Sequence, residues 1–258
     1  MRVQRRRHVR PGVVSPRGRQ GPQHCSPDIE GLHELEPLDF SNTQFEHLYS
    51  NAVQHYFRTL QVIMVIPKRK LLAESPFDGI SDAVFATSRD GVRFDRPFME
   101  DFIRPGRNSL NWYSRTNVVV TELLPAATEK FSLDGFQADS HSMAHLQHHV
   151  IRTDGLVSVH GDYQRRELLT KLLQFSGSRL FINYPTSSAG SVHREITDAQ
   201  GTALAGNASK DCEDLCGDQI EWMVAWKNGS NVSTLARRVV WLRFLLRDTD
   251  LYSFHFGR

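Results

Sequence analysis

A short segment built around an aspartate recurs along this chain and constrains its fold more than any other feature. Residues 25–32 align without a gap with residues 87–94, an offset of 62 residues, and a third copy follows 64 residues later around Asp154-Gly155. An Asp-Gly pair between β-rich runs is a strong cue for a hairpin, because a type I′ turn needs positive φ at both central residues. A fixed period of this kind indicates a repeat architecture.

Strand-rich segments precede the second and third copies. We predict strands at 51–57, 60–66, 82–88 and 92–95 in one unit, and at 117–124, 130–136, 145–152 and 156–160 in the next. Four antiparallel strands per unit at this period are typical of propeller blades. Two tandem small sandwiches are the alternative. Blades are favoured because each unit is a single meander with its most apolar strands first, and such a sheet needs neighbours stacked on both faces.

The pattern changes after residue 160 to closely spaced short strands. They are predicted at 168–175, 179–184, 191–196, 219–226, 239–246 and 251–256. Trp222, Trp226 and Trp241 are expected to fill a core between them, which suggests a β-sandwich or jelly roll.

The predicted fold class is therefore all-β. A partial propeller of the five-bladed type, with about two blades and a remnant, is followed by a β-sandwich. The expected domains are a basic, disordered or divergent N-terminus at 1–24, the partial propeller at 25–161 and the sandwich at 162–258. Because two units and a remnant cannot close a ring, we expect either a fragment or association with another chain that completes the propeller.

Charge is unevenly placed although the net charge is only +2. The first nineteen residues hold seven arginines and no acid. Such a run can bind RNA or anionic lipid, but no aromatic residues interleave with it, so we expect no nucleic-acid partner. No run approaches the roughly 20 apolar residues of a membrane helix, and no apolar stretch follows the basic start. The expectation is no membrane partner and a cytoplasmic location by default.

Cysteine and histidine usage predicts no metal site. The three cysteines are Cys25, Cys212 and Cys216, and no second pair or nearby histidine completes four ligands with Cys212-x3-Cys216. In the histidine-rich segment 141–149, an alternating strand places His145 and His149 on one face and His148 on the other. A partly solvated polar strand is preferred over zinc, and no cofactor is expected.

Several motifs, in order, resemble the C-terminal part of a bacterial glycoside-hydrolase-like family. That family has a five-bladed propeller of the invertase and arabinanase type and a terminal β-sandwich. The matching stretches are 46–58, 81–94, 102–106, 152–159, 167–171, 189–191, 226–230 and 242–252. The likeness runs from about residue 25 to the end, and it implies carbohydrate as the partner and hydrolysis of a glycosidic bond as the ancestral activity.

The departures from this family limit what the resemblance implies. A full-length relative has about three further blades before residue 25, and those blades normally carry catalytic carboxylates. Leu32 stands where the blade hairpin usually has tryptophan, Leu60-Gln61 replaces an expected Ala-Pro-His, and the match over 132–149 is poor. We therefore expect a truncated, diverged and catalytically incomplete chain. The alternative is a non-catalytic carbohydrate-binding or structural module.

Glycoside hydrolysis needs two carboxylates facing the scissile bond. Among residues where the innermost strands of the predicted blades begin, Glu46 and Asp82 are the candidate acid–base pair; hydrogen bonding within loops is the competing role. Asp28, Asp90 and Asp154 are expected only to stabilise their own turns.

The candidate sugar-binding residues are polar or aromatic side chains near the same strand starts: Tyr49, Asn51, Tyr56, Arg58, Trp112, Arg115 and Asn117. Trp112 is the best candidate for an exposed aromatic platform. Tyr56 can either contact a sugar or pack between blades.

Overall fold

The computed structural model describes residues 3–4, 47–48, 52–59, 62–70, 80–90, 94–98, 100–119, 123–127 and 129–258. Only the backbone is described at 3–4, 47–48, 62–70, Ile80 and Asp82. Regular structure in these ranges consists of β-strands and short 3₁₀ helices, so the chain is all-β, as predicted. Within the same ranges, no helix has the length and apolar character needed to cross a membrane.

The strands, in chain order, are β1 (Val3–Gln4), β2 (His47–Leu48), β3 (Ala52–His55), β4 (Val62–Lys70), β5 (Ile80–Ser88), β6 (Phe94–Asp95), β7 (Leu124–Ala127), β8 (Lys130–Gln137), β9 (His145–Arg152), β10 (Ser158–Gly161), β11 (Arg166–Leu169), β12 (Arg179–Thr197), β13 (Asp218–Met223), β14 (Trp241–Leu251) and β15 (Ser253–Gly257). The 3₁₀ helices are Ser109–Trp112, Ser209–Asp211 and Ser233–Leu235.

Contacts divide the chain into two compact units. The N-terminal unit comprises residues 7–151, and the C-terminal unit comprises residues 1–6 and 152–258. β1, from the basic N-terminus, pairs with β10 of the C-terminal unit. The domain boundaries expected at 24/25 and 161/162 stay a prediction.

The first predicted repeat unit folds as the four-stranded meander expected from its sequence. β3, β4, β5 and β6 pair successively and antiparallel, and β2 pairs with the other end of β4. In β5, the consecutive residues 83–86 are each at most 2% exposed, so both faces of the strand are covered. A blade stacked between neighbours requires a central strand of this kind.

The second repeat unit has a three-stranded sheet in the order β7-β8-β9. β8 and β9 lie where strands were predicted. Of the strand predicted at 117–124, residues 120–122 lie outside the described residues. Val119 forms an isolated antiparallel bridge to Gly135, and β7 begins at Leu124. In β9, His149 is buried whereas His148 and His145 are both exposed, so burial alternates only in the second half of the strand.

The assignment of residues 156–160 to the second blade is wrong. β10 pairs with β14 of the C-terminal unit. There the Ser158 hydroxyl donates to the buried Asp250 carboxylate (2.9 Å), and the His160 ring lies 3.2 Å from the same oxygen. Gly161 permits the close approach of the strands, because a Cβ at this position would lie 2.4 Å from the Leu246 carbonyl oxygen.

The Asp154-Gly155 turn exists but is not the predicted type I′ turn. Gly155 N–H donates to the Arg152 carbonyl (2.8 Å), so the central residues of the turn are Thr153 and Asp154. Of these two, only Asp154 has positive φ, at 57°. Positive φ at the third residue only is the pattern of a type II turn. Such a turn does not match the twist of a hairpin, which agrees with β9 and β10 joining different sheets.

The C-terminal unit is a sandwich whose two sheets share one long strand. The first part of β12 pairs with β13 and β15, and its last part pairs with β14, with a register shift between Thr186 and Ser191. β12 therefore turns the corner from one sheet to the other. The core contains side chains from both sheets, including Leu180, Ile182, Ile196 and Phe244.

The tryptophan prediction for this core is partly wrong. Trp226 is buried in the core, whereas Trp222, on β13, is 41% exposed and Trp241 is half-buried. β13 pairs with β12 along one edge, and five of its six residues are exposed. Side chains on such a strand are covered from fewer sides than those on a central strand, which explains the exposure of Trp222.

Candidate functional site

A buried asparagine fixes the segment that precedes the predicted binding residues. Asn111 lies in the 3₁₀ helix Ser109–Trp112 and is 2% exposed. Its Nδ2 donates to the Pro105 carbonyl (2.8 Å), and its Oδ1 accepts from the Ala138 N–H (2.8 Å). A buried amide bonded at both ends is costly to displace, so Asn111 holds this helix against the loop at 105 and the end of β8.

Next to this anchor, two aromatic side chains are exposed. Trp112 is 54% exposed and Tyr113 is 56% exposed. The Trp112 indole Nε1 donates to the Gly106 carbonyl (3.0 Å), and the Tyr113 ring meets the His141 ring edge to face at 5.8 Å. We call Trp112, Tyr113 and His141 the aromatic platform. Because the indole N–H is satisfied within the chain, the exposed ring surface of Trp112 is available for stacking.

The start of β5 lies beside residues 115–117. Ser81 N–H donates to the Arg115 carbonyl (3.3 Å), and Asn117 N–H donates to the Ser81 carbonyl (2.7 Å). Ser81 and Thr116 form a parallel bridge. The structure therefore brings the backbones of three predicted site residues, Asp82, Arg115 and Asn117, to one place. Arg115 adopts φ 54°, which turns the chain into this pairing.

Asn117 is the most unusual polar residue of this region. Its side chain is fully buried, and neither Oδ1 nor Nδ2 has a hydrogen-bond partner among the described residues. Buried amides in folded proteins are almost always hydrogen-bonded, by protein, ordered water or ligand. The Asn117 amide is thus able to accept from and donate to an ordered water enclosed at the start of β5.

Tyr56 packs between the two sheets of the N-terminal unit. It is 6% exposed, and its ring lies 4.6 Å from the Phe57 ring and 6.1 Å from that of Phe131 on β8. Gln54 makes a second link between the sheets, because its amide exchanges two hydrogen bonds with the Leu123 backbone, at 2.9 and 2.7 Å. Because Tyr56 is packed against these rings, it has little exposed surface for contact with a ligand.

The structure describes the other predicted residues only in part. Arg58 is half-buried. Glu46, Tyr49 and Asn51 lie outside the described residues, as does Asp28 of the first aspartate segment. For Asp82 the structure gives the backbone position in β5, opposite Lys68 of β4. Among the described residues, no three His, Cys, Asp or Glu side chains come together in a way that could hold a metal ion.

Sequence reasoning missed the contributions of Tyr113, His141 and Asn111. The run Asn111-Trp-Tyr113 contained a usable signal for Tyr113, since a second large aromatic residue directly follows Trp112 in a polar segment. The contact with His141 had no such signal, because it joins residues 28 positions apart through a turn with positive φ at Ala138 and Ser140.

No protein-family profile matches this chain, and no curated protein matches it. Among solved structures, it is similar to a glycoside hydrolase family 43 arabinoxylan arabinofuranohydrolase from Bacillus subtilis in complex with cellotetraose. The two share 11% identity with a TM-score of 0.23, over 81% of this chain and 54% of that one. The chain therefore matches about half the length of that protein, and a likeness of this size assigns neither family nor activity.

Proposed function

We propose that this chain is a glycoside-hydrolase-like protein that binds carbohydrate at the aromatic platform of its N-terminal unit. The observation that carries the proposal is the pair of exposed rings, Trp112 and Tyr113, next to a buried amide anchor. The motif resemblance to sugar-cleaving propellers supports the same ligand class.

Rigid exposed rings suit a sugar for two reasons. The apolar C–H face of a pyranose or furanose can lie on an aromatic ring and bury apolar surface on both sides. The Trp112 side chain is held by its hydrogen bond to Gly106, so little rotamer freedom is lost on binding. Sugar hydroxyls can meanwhile bond to polar groups around the rings, which supplies specificity.

The proposal is tested by measuring binding to soluble polysaccharides, with affinity gel electrophoresis and titration calorimetry. Stacking of one planar group on an aromatic side chain contributes about 1–3 kcal/mol in nucleic-acid complexes, so we expect Trp112→Ala to weaken binding by roughly tenfold or more. Trp222→Ala is the matched control, because Trp222 is an exposed tryptophan of the C-terminal unit. Equal binding by both variants would contradict the proposal.

Hydrolysis of a glycosidic bond is the second candidate function. It is favoured by the placement of the Asp82 backbone beside Arg115 and Asn117, residues expected at one end of the propeller channel. Glu46 and Asp82 would then serve as acid and base or nucleophile.

Aryl-glycoside hydrolysis separates the two candidates. Turnover that is abolished in Asp82→Asn and Glu46→Gln, but retained in Asp90→Asn, would support an enzyme. The Asp90 variant is the control because Asp90 forms part of a turn with Ser88. Polysaccharide binding without turnover would support the non-catalytic carbohydrate-binding module.

A further inference from the structure

One edge of the C-terminal unit brings together a cysteine, a histidine and an aspartate. The last part of β12 pairs with β14 on one side. On the other side, Val192 of β12 bridges to Leu215, with Val192 N–H donating to the Leu215 carbonyl at 3.0 Å. This antiparallel register sets Asp214 opposite His193. Cys212 lies two residues before Asp214, directly after the 3₁₀ helix Ser209–Asp211.

The three side chains are connected in the order thiol, imidazole, carboxylate. The Cys212 Sγ lies 3.8 Å from His193 Nδ1, and His193 Nε2 contacts the Asp214 carboxylate. A carboxylate partner at Nε2 favours the tautomer that carries its proton there. The Nδ1 lone pair then faces the sulfur and can accept the thiol proton. This is the arrangement of nucleophile, base and orienting group that activates a thiol.

A buried cation lies near the same sulfur. Arg194, the next residue on β12, is 3% exposed and donates to the carbonyls of Glu213 (2.6 Å) and Ala225 (2.7 Å), while its Nε has no partner among the described residues. Burial lowers the pKa of Arg194.

We propose that Cys212 is a nucleophilic thiol, activated by His193 and Asp214, and that it is a site of oxidation by hydrogen peroxide. His193 Nδ1 takes the thiol proton, and the thiolate attacks one peroxide oxygen. The S–O bond forms as the O–O bond breaks, and the leaving hydroxide takes the proton from the imidazolium and departs as water. Cys212 is oxidised to the sulfenic acid and the peroxide is reduced.

The structure also contains the arrangement that competes with this role. The Cys212 sulfur lies 3.0 Å from the Ser209 carbonyl, to which a neutral thiol donates its only proton. Cys212 is also buried at the margin of the core, with 9% of its surface exposed, so if that contact dominates it is an ordinary buried thiol. Cys216 provides an internal comparison: it is exposed, and its contacts are with Thr186 and the carbonyls of Ser187 and Ser188.

The experiment measures the rates at which Cys212 and Cys216 react in one molecule. A full-length Cys25→Ser protein is pulsed with iodoacetamide between pH 5.5 and 9, and peptide mass spectrometry follows each cysteine. We expect Cys212 to react at least tenfold faster than Cys216 at pH 6.5. With peroxide and dimedone, the sulfenic-acid adduct is expected on Cys212.

Two variants test the roles of the neighbours. His193→Gln should reduce the rate of Cys212 to that of Cys216 or below, and Asp214→Asn should reduce it severalfold while leaving Cys216 unchanged. Asp214 is largely exposed, so its replacement keeps the test valid if the His193 variant misfolds. The proposal is overturned if Cys212 reacts no faster than Cys216, or if Asp214→Asn leaves its rate and pH profile unchanged.

Discussion

Two turns with the same Asp-Gly sequence lead to different structures in this molecule. After the turn at Asp90, β6 returns beside β5, as a hairpin should. After the turn at Asp154, β10 leaves the sheet of β9 and pairs with β14. The residue two positions before each aspartate also differs: it is Ser88 in the first turn and Arg152 in the second.

The hydrogen bonds of Arg152 reach parts of the chain that are distant in sequence, whereas Ser88 and Asp90 bond to each other. Ser88 Oγ donates to the Asp90 carboxylate (3.0 Å) and accepts from the Asp90 N–H (3.3 Å), so these contacts stay within the turn. Arg152 donates to Asn183 Oδ1 (2.8 Å) and to the Gln219 carbonyl (2.6 Å), more than thirty residues away. The Asp-Gly cue therefore predicts a turn, while distant contacts decide which strand the chain joins next.

The largest effect is expected from blocking the contact of β10 with β14. Gly161→Ala places a Cβ within 2.6 Å of three Leu246 atoms, two of them backbone, so a strand must move. We expect a loss of about 3 kcal/mol or more in the free energy of unfolding of the C-terminal unit. Urea unfolding followed by tryptophan fluorescence in a Trp112→Phe background reports this unit through Trp222, Trp226 and Trp241.

A change near zero in the free energy of unfolding would show that the pairing of β10 with β14 does not stabilise the C-terminal unit. It would contradict the inference that this pairing distinguishes the two turns. Ser158→Ala is the control in the same strand. It removes the hydroxyl bond to Asp250 but adds no atoms, so a smaller loss of about 1 kcal/mol is expected.

The next effect concerns the residue that begins each turn. Arg152→Ala removes the bonds to Asn183 and Gln219 and the contact with the Tyr252 ring, and we expect a loss of about 2 kcal/mol. Arg152→Lys keeps the charge but cannot reproduce the planar fork, so most of the loss should remain. Ser88→Ala in the first turn should cost clearly less, and equal losses in both turns would contradict the proposed difference.

Residues close in sequence account for most of what was predicted correctly. The bounds of β8 and β9 were predicted from runs of alternating apolar and polar residues. The exposure of Trp112 agrees with the polar residues that surround it in the sequence. The partner of β10 was not predictable, because it depends on Leu246 and Asp250, about ninety residues away. The cluster of Cys212 with His193 likewise depends on a strand-edge pairing that neither local sequence reveals.

A smaller effect is expected from the two aspartates themselves. Asp154 has φ 57° and accepts a hydrogen bond from Ser253, so Asp154→Ala combines backbone strain with a lost contact and should cost about 1 kcal/mol. Asp154→Asn is the control, because asparagine tolerates this conformation and keeps an acceptor. Asp90→Ala is expected to have less effect on thermal unfolding. A larger loss of stability in Asp90→Ala than in Asp154→Ala would contradict the expected order of the two turns.

The smallest effect is a pH dependence in the segment that follows β10. Arg166 donates to the Asp162 carboxylate through Nε at 2.8 Å, and this hydrogen bond lowers the pKa of Asp162 from 3.8. Because the folded-state pKa lies below the unfolded value of 3.8, the ion pair contributes stability above that value and loses it as the pH falls through the folded pKa. Asp162→Asn removes this contribution, so the stabilities of the variant and the parent should differ slightly at pH 6 and converge once the pH falls below the folded-state pKa of Asp162. Both side chains are well exposed, so added salt should shrink the difference at pH 6. A difference that instead persists at low pH would mean that the charge of Asp162 is not its main contribution. The hydrogen bond from the Gln164 N–H (3.0 Å) would not explain such a difference, because an asparagine can also accept it.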